Sequence, residues 1–340
     1  MSELIVSLAR EETEAVLIAA LREVYGEGAR LEGWAAFPLS KRGKHRSVHY
    51  QLRVAGVPRV HHVQWAGKFY ASAADGCRVA TVLRQVAAAD RGARGALVVP
   101  SLIAYDPARR LLLSKYEPGE SIVAALAHGD GPVVRTLGRV VAALHGAQVG
   151  DAPITSPASM LEDLRPRIVD LAARLRGAEA PLWRVLPALE RLAPPLPARP
   201  SFLHGDLGPS QILWRGGRVV ILDFDKWTRG DPASDLGNLL TQLRRITLRR
   251  PGKLPAFASL RSGLLDAYRY WTAPDPGLAR RVGWYERLAL LRKAHFLASN
   301  TTRHEQPEAL RQRRTEAMRL VRELSAAARD EGDLGERHAG

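Results

Sequence analysis

The sequence predicts an α+β fold, with a small N-terminal β-sheet lobe that carries one helix and a larger, mostly α-helical C-terminal lobe. Two observations predict it. Between residues 48 and 116 apolar side chains recur at every second position in short runs, as in half-buried strands. Beyond residue 117 they recur at three- and four-residue spacing over long stretches, as on helices that pack through one face.

The elements follow in order. Ser7 to Tyr25 is predicted to be an amphipathic helix: acids crowd its first turns, and Val16, Leu17, Ala20, Leu21 and Val24 share a face. Val48, Tyr50, Leu52 and Val54 alternate with polar residues and predict a strand. Gly56-Val57-Pro58 ends it, and Val60 to Tyr70 alternates again with Lys68 near its end. Asp75 to Ala89 reads as a helix. Ala96 to Tyr105 and Leu111 to Tyr116 read as two strands joined by a turn at Asp106-Pro107. Helices are expected over Ile122 to His128, Val133 to Ala147, Met160 to Arg176 and Leu182 to Leu192. A proline-rich link, Pro194 to Pro197, precedes a short apolar hairpin, and helices resume over Asp235 to Arg245, Ala256 to Tyr270, Leu278 to Ser299 and Pro307 to Ala328. The expected division is 1–116, 117–328 and a polar, disordered tail at 329–340.

Composition narrows the class. A chain of 340 residues that is 46% hydrophobic and 25% charged is of soluble, globular type. Its apolar runs are too short to span a bilayer, and no basic segment followed by an apolar core opens the chain. Cys77 is the only cysteine, which excludes an internal disulfide and suits the cytoplasm. The net charge of +15 raises the question of nucleic acid. Arginine supplies 43 of the 50 basic residues, yet these are spread over the helices, and aromatics make up only 6%, so nucleic-acid binding is not expected.

The chemistry concentrates between Ser201 and Trp227. His204-Gly205-Asp206 follows an apolar run, and Asp223-Phe224-Asp225 closes a second one. Gly216-Gly217 between them suits a tight hairpin turn, which can carry Asp206, Gln211 and Asp223 to one mouth. One carboxylate to take a hydroxyl proton, with an amide oxygen and a carboxylate to hold Mg²⁺, is what phosphoryl transfer from ATP requires. Adjacent His61 and His62 on a strand point to opposite faces and cannot share a metal. Cys77 reads as a small packed side chain, and Trp214 and Trp227 as core.

On these residues the chain resembles the aminoglycoside phosphotransferase and choline kinase superfamily, which has a protein-kinase-like, two-lobed fold. The family's H-G-D-x-x-x-x-N stands as His204 to Gln211, its D-F-[DE] as Asp223 to Asp225, and a later landmark as Gly230 to Asn238. Lys115-Tyr116-Glu117-Pro118-Gly119 resembles the hinge between the lobes, whose Lys115, Tyr116 and Glu117 would border the nucleotide. The resemblance implies ATP or GTP with Mg²⁺ as cofactors and a small-molecule hydroxyl as acceptor. It makes Asp206 the catalytic aspartate, Asp223 a metal ligand and Asp225 a candidate for a second metal. Gln211 replaces the usual asparagine, as in maltokinase-like sugar kinases. His204 would shape the loop and Asp235 would anchor it. Lys68 is the candidate for the lysine on the α- and β-phosphates.

The pattern departs in two places. No glutamate follows Lys68 until Glu117, so either Asp75 pairs with the lysine or nothing does. No glycine-rich loop is present, and Ser40 to Ser47 is either a basic phosphate cover or a solvated loop. These departures, with Gln211, leave open a catalytically impaired nucleotide-binding or partner-binding protein on the same fold. The stretch between Asp223 and Asp235 is too short for the activation loop of a protein kinase. Arginines and lysines outnumber acids beyond Thr241, which favours a sugar or other neutral or anionic metabolite over a polycationic aminoglycoside.

Overall fold

The computed structural model describes residues 10–39, 46–90, 97–150, 152–299 and 306–336. The expected phosphate cover at Ser40 to Ser47 lies mostly outside them. The chain is mixed α+β and divides into two compact units, Met1–Gly150 with Ser210–Lys226, and Asp151–Pro209 with Trp227–Gly340. The boundary expected near residue 117 thus falls inside the first unit.

The first unit opens with α1 (Arg10–Tyr25), β1 (Arg30–Pro38), β2 (Arg46–Ala55), β3 (His62–Phe69) and α2 (Ala73–Asp90). It continues with β4 (Leu97–Val98), β5 (Leu102–Asp106), β6 (Leu111–Lys115), β7 (Glu120–Ser121), α3 (Ile122–His128) and α4 (Asp130–His145). The second unit begins with α5 (Pro157–Arg174), α6 (Glu179–Arg191) and β8 (Ser201–Leu203). The hairpin β9 (Ile212–Arg215) and β10 (Arg218–Ile221) belongs to the first unit. The second then resumes with β11 (Thr228–Gly230), α7 (Ala233–Arg249), α8 (Phe257–Tyr270), α9 (Leu278–Ser299) and α10 (Pro307–Glu336). No helix among the described residues is long and apolar enough to cross a membrane.

A five-stranded sheet in the order β1-β2-β3-β6-β5 dominates the first unit. Strand β3 is central and antiparallel to both neighbours, with Lys68 opposite Ser47 and Leu112. Its side chains alternate: Val63, Trp65, Gly67 and Phe69 are buried, while Gln64, Ala66 and Lys68 take the other face. The buried set packs with Leu17 and Leu21 of α1 and with Tyr50, Leu52 and Leu113. A second sheet has the order β4-β10-β9-β7. Its hairpin turns at Gly216 and Gly217, both at positive φ (53° and 82°), the geometry for which a glycine pair is suited.

The structure adds to the sequence reading or departs from it at three points. Strand β1 pairs with β2 along its length although it shows no clean alternation, because most of its side chains are exposed. The single strand expected over Ala96 to Tyr105 is two: β4 joins the second sheet and β5 the first, with Pro100, which has no N–H to give to a ladder, between them. Helix α10 is described as far as Glu336, within the segment 329–340.

In the second unit α7 and α9 pack closely through Gly237. A Cβ there would stand 2.7 Å from Cβ of Tyr285 and 3.0 Å from the backbone nitrogen of Glu286. Gly→Ala in a helix interior ordinarily stabilises by about 0.5–1 kcal/mol. Here the overlap is with backbone, so Gly237→Ala is expected to destabilise by about 1–3 kcal/mol in urea unfolding.

Candidate functional site

The first unit brings one group of predicted residues together. Leu222 donates its N–H to the Gln211 carbonyl at 2.8 Å, fixing the end of β10. The chain then bends: Asp223 has φ of 64°, a left-handed conformation that costs a non-glycine residue about 1–2 kcal/mol. Phe224 is buried, and the aspartates on either side of it converge on one amine. Lys68 Nζ donates to Asp223 Oδ1 at 2.8 Å and to Asp225 Oδ2 at 2.6 Å. Tyr70, one residue past the end of β3, donates its hydroxyl to Asp225 Oδ1 at 3.0 Å. Burial, reinforced by the Asp225 charge, raises the Tyr70 hydroxyl well above its usual range, so it remains a donor.

The unexplained lysine therefore has partners, and they are the predicted metal ligands themselves. Asp75 is engaged elsewhere. Its carboxylate accepts from Ser72 Oγ at 2.8 Å and pairs with Arg78 at 3.5 Å, at the start of α2. Cys77 is exposed on the same helix, a correction to its reading as a packed side chain.

Lys68, Asp223 and Asp225 line a cavity of about 440 Å³, which Lys115, Tyr116, Glu117 and Gln211 also line. That volume lies in the range of small-molecule sites. Ala66, Leu112, Leu213 and Leu222 give it an apolar side. Tyr116 stacks on His49 at 3.9 Å between ring centroids, and its N–H bonds Gln64. Glu117 is buried and paired with Arg215 of the hairpin. Gln211 Oε1 accepts from Ser210 Oγ at 2.8 Å. Among the described residues no three His, Cys, Asp or Glu side chains gather as a metal cluster. Two carboxylates and an amide oxygen on one cavity nonetheless form the hard, all-oxygen, partial set that suits Mg²⁺ shared with phosphate oxygens.

The second unit holds the other group. His204 is fully buried, and its Nδ1 accepts the Asp206 N–H at 3.3 Å, so the ring braces the loop. Asp235, in the first turn of α7 and 1% exposed, accepts from the His204 N–H at 2.7 Å and the Gly205 N–H at 3.0 Å. Asn238 Nδ2 donates to the Leu207 carbonyl at 2.9 Å. Gly208 lies against Gln242, whose amide would be 2.3 Å from an added Cβ. One further buried acid escaped the sequence reading: Asp231 is held by Arg281 Nε at 2.8 Å, and Arg281 also grips Asp275. The G-D-P turn around Asp231 was its only signal. Tyr70 had a better one, since it continues the face of β3 that carries Lys68. Asp235→Ala would strand two backbone donors, and a loss of about 2–5 kcal/mol is expected in chemical unfolding, with Asn intermediate.

Comparison with known proteins accords with this arrangement. A choline/ethanolamine kinase family protein from Mesorhizobium loti superposes with a TM-score of 0.60 at 19% identity, covering 94% of this chain and 98% of that one. A macrolide 2'-phosphotransferase from Brachybacterium faecium gives 0.54 at 19%, over 91% and 98%. An aminoglycoside phosphotransferase in ternary complex with ADP and hygromycin B gives 0.58 at 16%, over 90% and 98%. At these identities the likeness establishes the fold, which is kinase-like. No curated protein sequence matches the chain. The model of the phosphotransferase enzyme family matches residues 68–284, the span that runs from Lys68 through both aspartate motifs to α9, and the chain belongs to that family.

Proposed function

We propose that the protein is an ATP- and Mg²⁺-dependent kinase that transfers the γ-phosphoryl group to a hydroxyl of a small molecule in the cytoplasm, a sugar or other metabolite rather than a polycationic aminoglycoside. The observation that carries this is the convergence of Lys68, Asp223 and Asp225 on a cavity bordered by Tyr116 and Glu117. In this reading the adenine (or guanine) lies along the apolar side of the cavity, against the segment Lys115 to Glu117. Lys68 turns its ammonium to the α- and β-phosphates.

Asp223 and Gln211 hold the metal, and Asp225 supports a second. When bound, Mg²⁺ supplies charge neutralisation on the phosphate oxygens. Asp206 orients the acceptor hydroxyl and takes its proton as the new oxygen–phosphorus bond forms and the bond from the γ-phosphorus to the departing nucleoside diphosphate breaks. His204 and Asp235 keep the Asp206 loop in shape and do no proton chemistry. Tyr70 fixes Asp225 by a neutral hydrogen bond that adds no charge to the metal site. Support for nucleotide and divalent ion also comes from fold relatives solved with ADP, and with AMP-PNP and Ca²⁺.

Calorimetry of ATP and GTP with and without Mg²⁺ tests the proposal. Metal-dependent binding is expected in the wild type and its loss in Asp223→Ala; equal binding by the two proteins would refute the assignment. Asp206→Asn is expected to lower kcat by about 10²–10⁴-fold in steady-state kinetics, while ATP affinity stays close to the wild-type value.

A further inference from the structure

The surroundings of Asp206 in the second unit carry a charge pattern that phosphoryl transfer alone does not require. Lys293, on α9, is half-buried. Its ammonium stands 4.4 Å from the centroid of the Phe296 ring, and among the described residues it forms neither a hydrogen bond nor an ion pair. The charges that act on it come from the Asp206 carboxylate, from Arg245 of α7 and from Glu316 and Arg313 of α10.

Glu316 is already committed. It accepts from Nε and Nη2 of Arg245 at 3.1 and 2.6 Å, and Arg249 stands 3.7 Å from it. Arg313 donates to the Phe296 carbonyl at 3.4 Å. The cations exceed the carboxylates, and Lys293 is left near Asp206 without an anion of its own. Burial, with Arg245 adding repulsion, pulls its ammonium down to about 8. A lysine kept for the fold ordinarily projects fully into water or pairs with an acid. This one is only partly exposed and makes no ion pair among the described residues, although Glu316 is on the neighbouring helix.

We propose that Lys293 is a specificity-determining residue whose ammonium receives an anionic group, phosphoryl or carboxylate, carried by the acceptor beside the hydroxyl that Asp206 serves. Arg245, 11% exposed and locked to Glu316, forms the fixed wall behind it. The proposal rests on the kinase reading and deepens it, since it names the chemical class of the acceptor. A polycation would meet repulsion here, and a neutral sugar would leave Lys293 unpaired.

The test titrates sulfate, standing for a phosphoryl group, and acetate, standing for a carboxylate. Each is added to the full chain saturated with Mg²⁺ and AMP-PNP, so that the nucleotide cavity is filled. At least one anion is expected to bind near neutral pH. Its affinity is expected to fall about tenfold or more in Lys293→Met, to return in Lys293→Arg, and to stay unchanged in Arg176→Met, an exposed arginine outside the cluster. The melting temperature of Lys293→Met is expected to equal or exceed that of the wild type, because a poorly solvated charge is removed; a structural lysine would give a fall.

One arm needs no variant. Sulfate keeps its charge across the range, whereas Lys293 is charged below about pH 8 and neutral above it, so sulfate affinity is expected to drop as pH rises through that value. Tighter sulfate assigns a phosphorylated acceptor, and tighter acetate a carboxylated one. Binding of neither anion, equal affinity in Lys293→Met, or a flat pH profile would overturn the proposal. Failure of AMP-PNP to bind would instead count against the kinase reading, and the Lys293 dependence of sulfate binding would still be read in the same titration.

Discussion

Three side chains, Lys68, Asp223 and Asp225, set the chemistry of the first unit, and their meeting depends on two different local geometries. The period-2 alternation of β3 turns Lys68 away from the Trp65 face and toward the cavity. The positive φ of Asp223 and the burial of Phe224 turn both aspartates back toward it. Adjacent carboxylates repel, and one ammonium between them relieves that repulsion. The same oxygens suit a divalent cation. Under the proposed function a divalent cation would compete with Lys68 for that pair of carboxylates, and phosphate would receive the displaced ammonium.

The second unit solves a different problem. A loop that presents Asp206 must hold an unusual backbone, with Gly205 at φ of 78°, and cannot rely on a ladder of strand hydrogen bonds. Buried side chains hold it instead: Asp235 takes two of its N–H groups, His204 a third and Asn238 a carbonyl. Arg281 extends this scaffold by neutralising Asp231, so the acids under the loop are paired or bonded. The loop is rigid by construction, and the side chain of Asp206 is the part left half-exposed.

The sequence disclosed what depends on short-range pattern. The Gly216-Gly217 hairpin, the helix at Leu278 to Ser299 and the strand carrying Lys68 are all written in local periodicity or turn chemistry. The family was legible because the spacing of the two aspartate motifs around that hairpin resembles its pattern. What stayed hidden depends on distant partners. The lysine's carboxylates lie about 155 residues away, and no window of sequence joins them. Strand β1 is specified by its pairing with β2 rather than by alternation. The separation of β4 from β5 comes from Pro100 and from a neighbour, β10, far later in the chain. Lys293 was one cation among many arginines until packing placed it near Asp206.

The order of elements along the chain has a further consequence. The first unit is not contiguous: its second sheet is β4-β10-β9-β7, so an interior strand pair comes from Ser210–Lys226. During synthesis β4 and β7 emerge long before the hairpin that joins them. Until then their edges and the apolar faces of α3 and α4 stay open to water. The nascent chain must carry this unfinished sheet through the whole of α5 and α6 before β10 closes it. Such a wait exposes a polypeptide to premature association, and it makes chaperone demand during translation a property of the topology itself.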